Sequence, residues 1–212
     1  MNNILKKVFA WMCAGLLVTF ATGYIVSINS NMIGKIFTPS SVIILGIVEI
    51  ALVLFLSIRI TKMNPTTARI MFLLYSFVTG LTFSSVFIAY DMSSITIVFL
   101  ITAILFGILS LIGYTTTADL TKLGTYLMIG LFAIIITSII NIFIGNTTIE
   151  IVICSISIII FLGITAYDIQ KIKQMSGYIE DDNLAIYGAL QLYIDFINLF
   201  LDLLRLFGNS RD

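Results

Sequence analysis

The chain is predicted to be an all-α membrane protein of seven transmembrane helices, and three observations carry that expectation. Hydrophobic residues make up 59% of the sequence and charged residues 10%, at a mean hydropathy of +1.13. A soluble domain of 212 residues needs far more polar surface than that to cover its core. Seven apolar stretches each approach the ~20 residues with which an α-helix crosses the hydrocarbon; they fall at 8–28, 41–61, 69–90, 95–114, 123–144, 149–168 and 184–207. None alternates like a barrel strand, and a bilayer forces backbone polar groups to pair within a segment or in a closed barrel, so helices are the reading.

The first stretch follows Lys6 and Lys7, a pattern shared with secretory signals. Its apolar run is too long and lacks an A-x-A site, so it is read as a retained anchor. The second carries Glu49 and ends beside Arg59. The third to fifth are almost purely apolar and are joined by short connections, "KMNPTTA", "DMSS" and "TTTADLTK". The sixth ends at Asp168, and the polar stretch that follows, "IQKIKQMSGYIEDDN", is the one candidate for a mobile loop. No soluble domain, internal repeat or low-complexity tail interrupts the pattern, which gives a single domain over 1–212. With a cytoplasmic amino terminus, that side collects Lys6, Lys7, Arg59, Lys62, Arg69, Lys122, Lys171 and Lys173, against Lys35 on the other, which Arg205 and Arg211 join if the seventh segment spans fully rather than being re-entrant. The bias predicts that orientation.

Eleven basic and eleven acidic residues cancel, and without a basic block a nucleic-acid partner is not expected. There is no histidine and no CxxC, so the usual ligands for zinc, copper or haem are missing and no tightly bound cofactor is expected. Any metal would be a hard cation held by oxygen. Cys13 and Cys154 lie in apolar runs and read as small hydrophobes.

The last segment breaks the pattern. "GALQLYIDFINLFLDLLRLF" carries Gln191, Asp195, Asn198, Asp202 and Arg205, spaced by 4, 3, 4 and 3 residues. At about 100° per residue these side chains fall within an arc of roughly 80°. Surface helices carry a broad, lysine-rich polar face; this seam is narrow and mostly acid or amide, so it is read as facing the bundle interior. Charges inside a membrane cost roughly 2.5–3.5 kcal/mol each on insertion scales and face partners or water. Partners from the other helices are few: Glu49, Arg59 and Asp168. Arg59 also suits a snorkelling anchor, and Asp168 a solvated helix end near Lys171 and Lys173. Asp91, Asp119, Glu150, Glu180, Asp181 and Asp182 read as loop or cap residues.

"AYDIQKI" at the end of the sixth helix, the polar loop, and "LYIDFINLFLDLLRLFG" at the carboxyl end, with "ADLTKLGTYL" entering the fifth helix, resemble the Bax inhibitor-1 family of transmembrane Bax-inhibitor-motif proteins, particularly its bacterial members. The resemblance implies two three-helix layers around a central carboxyl-terminal helix, and a pH-sensitive calcium leak gated by a hydrogen-bonded aspartate pair. Carried over, the pair is Asp168 and Asp195, both also calcium contacts, and the latch arginine is Arg59.

Two carboxyls in a dry site relieve their repulsion by sharing a proton. The expectation is that the protonated pair ties the sixth and seventh helices, that Arg59 balances its charge, and that losing the proton opens a path along Asp195, Asn198 and Asp202 to calcium. Asp195 stands about 16 Å along its helix from Leu184. Contact therefore requires the sixth helix to continue past Asp168, or the seventh to start outside the membrane with Asp182 or Asn183 as N-cap. A proton-coupled cation transporter, an intramembrane aspartyl protease and a protein-binding adaptor stand as rivals. The partners expected are the lipid bilayer and calcium, with protein partners open.

Overall fold

Pro39 and Pro65 each stand at the start of a helix, where a missing N–H and a fixed φ are no handicap. Thr38 and Asn64 cap those helices by accepting from Ser41 N and Thr66 N. A computed structural model describes residues 3–211, so Met1, Asn2 and Asp212 of the expected 1–212 span lie outside it. The helices are α1 (Asn3–Ser27), α2 (Ser30–Ile36), α3 (Pro39–Arg59), α4 (Pro65–Ala89), α5 (Met92–Thr115), α6 (Thr121–Ile144), α7 (Thr147–Met175) and α8 (Asp181–Phe207). All but α2 are long and apolar enough to cross a membrane. The chain is thus the all-α, seven-span membrane protein that its hydropathy predicts.

Two departures have local causes. The connection after α1 holds the short helix α2, nucleated by Asn29, whose side chain accepts from Asn31 N and Met32 N. The polar run after Asp168 is helical as far as Met175, because Ile169 and Ile172 recur on one face and are fully buried, while Lys171 is half-buried and Lys173 exposed. The loop shrinks to residues 176–180, turned at Gly177 with φ 96°.

The chain divides into two compact units. Among the described residues the first comprises 3–91, 175–193 and 210–211, the second 92–174 and 194–209. In the first unit α1 packs on α4, and α3 on α4. Phe72 and Tyr75 meet the ring of Tyr193 edge-on at 5.8 Å. The Tyr193 hydroxyl lies 2.6 Å from Thr19 Oγ1, which donates to Ser76 O at 2.9 Å. Helix α3 buries only Leu56, as suits a lipid-facing surface.

The second unit holds α5, α6, α7 and the later half of α8. Phe196 is gripped edge-on by Phe99 and Phe106, at 5.3 and 5.5 Å. Two glycines let α7 come close to its neighbours. A Cβ on Gly113 would collide with the carbonyl of Ala166, and one on Gly124 would lie 2.6 Å from the Tyr167 ring. Both contacts fall on the two residues just before Asp168 and so help to fix where α7 presents it. The amide of Gln170 then ties α7 to the loop before α6, accepting from Leu120 N at 2.9 Å and donating to Ala118 O at 2.8 Å.

Candidate functional site

The apolar stripe of α7 carries polar interruptions at Ser157, Thr165 and Asp168, all buried. Ser157 and Asp168 are eleven residues apart, about three turns, and so share a face. On α8, Asp195 and Asp202 are seven apart and share a face in the same way. In the second unit these two faces meet: Ser157 Oγ donates to Asp202 Oδ2 at 2.5 Å, and Asp168 is the charged side chain whose field reaches Asp195. Asp168 and Asp195 are 7% and 4% exposed, which places both carboxyls out of water on neighbouring helices. Asp195 Oδ2 is sealed from solvent and accepts no hydrogen bond. A buried carboxylate oxygen without a donor is costly when ionised.

The helix lengths permit this meeting in both of the ways the sequence left open. Helix α7 runs seven residues beyond Asp168, and α8 begins at Asp181. Asp182 and Asn183 lie inside the first turn of α8 rather than capping it. Asn183 donates to Met63 O at 2.9 Å and to Thr61 O at 3.4 Å. Asp182 accepts from Lys7 Nζ at 3.1 Å and Arg69 Nη2 at 2.6 Å, a three-way pairing absent from the sequence reading because its members are 175 and 113 residues apart.

The polar seam of α8 is not uniform. Asp195 and Asp202 are enclosed, Gln191 and Asn198 are half-buried, and Arg205 is exposed. Asn198 turns its amide back onto Ile194 O at 2.8 Å and so leaves its helix alone. Arg205 Nη1 approaches Asp202 Oδ1 at 3.6 Å. Glu49 is half-buried on α3 and accepts from Thr82 Oγ1 at 3.2 Å, within the first unit. Arg59 is exposed at the end of α3. The positive charge that reaches Asp168 is Lys171 of its own helix, and no ion pair of Arg59 is recorded among the described residues.

Outside the spans, Asp119 accepts from Thr121 N at 2.9 Å. The Thr121 side chain, followed by that backbone bond, holds the Asp119 carboxyl below its ordinary range. Among the described residues no group of three or more acidic, cysteine or histidine side chains is placed to hold a metal.

Over residues 1–212 the sequence matches the family described as "Inhibitor of apoptosis-promoting Bax1". The chain belongs to the Bax inhibitor-1 family. Its relatives include a protein of Borreliella burgdorferi, 42% identical over 217 residues that cover 100% of this chain and 94% of the relative. The inner membrane protein YbhL of Escherichia coli is 40% identical over 220 residues, covering 100% and 93%. A Deinococcus radiodurans protein is 32% identical over 215 residues, covering 100% and 92%. This Bax inhibitor-1 family member is an integral membrane protein, and YbhL is a bacterial inner membrane one.

Proposed function

We propose that the chain is a pH-sensitive calcium leak channel gated by Asp168 and Asp195 through one shared proton, with its amino terminus in the cytoplasm as the Lys/Arg distribution favours. The observation that carries the reading is the pair itself: two carboxyls on α7 and α8, both out of water, one with an oxygen that no donor reaches. A proton between them removes one charge and supplies the missing donor in a single step. The pair then titrates as a unit. Lys171, the cation that reaches Asp168, offsets the remaining charge.

Loss of the proton leaves two carboxylates face to face. At about 4 Å and an effective dielectric of about 20, two like charges repel by about 4 kcal/mol, which shifts a two-state equilibrium by about a thousandfold. That is enough to part a helix contact made of a few side chains. Calcium enters the scheme as cargo. It takes six to eight oxygens when held firmly, and two carboxylates with no third acidic partner suit an ion in passage. Continuous helices with both prolines at helix starts favour a leak over a carrier built on broken helices.

The test is calcium entry into dye-loaded proteoliposomes stepped through pH. Asp168→Asn and Asp195→Asn are each expected to flatten the pH dependence of flux, while an unchanged curve in both removes the pair as sensor. Calcium driven uphill by a proton gradient would instead make the protein a transporter.

A further inference from the structure

The α6–α7 hairpin closes on Gly145, at φ 67°, and Asn141 pins the turn by donating to Asn146 O at 3.2 Å and accepting from Asn146 N at 3.3 Å. Two cavities open on this hairpin, both within the second unit. One, of about 350 Å3, is lined by Ser138, Asn141, Glu150, Cys154 and Arg205 among others. The other, of about 430 Å3, is walled by aliphatic side chains of α6 and α7 with Thr137 and Thr148 as its hydroxyls. Ile153 lines both, so a polar chamber adjoins an apolar cleft.

The polar chamber carries one charge of each sign. Arg205 has half of its side chain exposed and spends one edge on Asp202 at 3.6 Å, leaving other guanidinium donors free to bind. Glu150, in the first turn of α7, is exposed. Glu150, Cys154 and Arg205 line the same chamber, and Asp202 stands at its edge through Arg205. The surroundings define the medium: along α6 only Gly124 is buried, so the hairpin presents its length to acyl chains.

A cation, an anion and an aliphatic cleft facing a bilayer together specify an amphiphile with a zwitterionic head. We propose that this chamber and cleft form a binding site for a phosphatidylethanolamine-type phospholipid, with its phosphate on Arg205, its ammonium on Glu150 and one acyl chain in the cleft. A net anionic head would face Glu150 and Asp202 without an ammonium to answer them. A soluble zwitterion would leave the cleft unfilled. The site is independent of the carboxyl pair and stands whether or not the protein conducts calcium.

The test uses the full chain purified in detergent and native mass spectrometry with palmitoyl-oleoyl phosphatidylethanolamine or phosphatidylglycerol. Wild type is expected to retain the ethanolamine lipid over the glycerol lipid by about two- to fivefold, the scale of one partly exposed ion pair. Glu150→Lys is expected to reverse the preference with no change in thermal stability, since its side chain is exposed. Ala133→Trp, which fills the cleft, is expected to weaken both lipids alike. Equal retention of the two lipids by wild type and Glu150→Lys would mean only non-selective annular contact and would overturn the proposal. Displacement of the lipid by free phosphoethanolamine at equal concentration would overturn the role of the cleft.

Discussion

Asp195 and Asp202 are the same residue on the same helix, two turns apart and equally enclosed at 4% and 6% exposure, yet their surroundings differ in kind. Asp202 receives the Ser157 hydroxyl on one oxygen and Arg205 on the other. Asp195 lies within the electrostatic reach of a second buried acid, Asp168, and has an oxygen that no donor reaches. The first arrangement is a satisfied polar staple between α7 and α8. The second leaves a buried carboxyl oxygen without a hydrogen-bond partner. Burial alone therefore does not distinguish the two acids; the supply of donors does.

Thermal unfolding in detergent separates the two cases. Ser157→Ala is expected to cost most, about 2–3 kcal/mol, because it strips the short hydrogen bond from a buried carboxylate and leaves the charge in place. Asp202→Asn keeps the shape and loses only charge-assisted bonding, so about 1–2 kcal/mol is expected. The double variant should cost less than the sum, since the two residues share one interaction.

A smaller and local effect is expected at Asp119. Its carboxyl is held below the ordinary value of 3.8, so its contribution is present above that value and fades as pH falls through the lowered one. Protection from hydrogen exchange at the first turn of α6, taken relative to the intrinsic rate at each pH, should fall on acidification through that window, and in Asp119→Ala it should be low at all pH. At the bottom of the scale, Asp195→Asn is expected to leave the unfolding midpoint unchanged or raise it. A destabilisation matching that of Asp202→Asn would erase the distinction between the two acids.

The seven spans were readable because lipid imposes one length and one kind of backbone pairing on each of them. Their ends were less readable. Lys171, Lys173 and Gln174 make the end of α7 look like loop, whereas Ile169 and Ile172 between them hold it in the fold. Asp168 and Asp195 could be singled out from their tyrosine-aspartate and "YIDF" settings by resemblance. Ser157 was missed, although its spacing of eleven from Asp168 puts it on the same face. Lys171 entered the reading through the charge bias and as a neighbour of a solvated helix end at Asp168, yet Asp168 is buried and Lys171 is the cation that reaches it. Arg59 illustrates the opposite limit: its position was legible, but pairing depends on side-chain reach that spacing does not encode.

Cys154 is enclosed at 1% exposure while Cys13 is open to its surroundings, and there are no other thiols in the sequence. A maleimide dye added to the folded protein will therefore leave Cys154 untouched for as long as α7 and α8 stay closed around it, whereas Cys13 faces the lipid or detergent around α1. In a Cys13→Ser background, the slow appearance of label becomes a clock for how often that part of the bundle breathes, read without introducing any foreign probe.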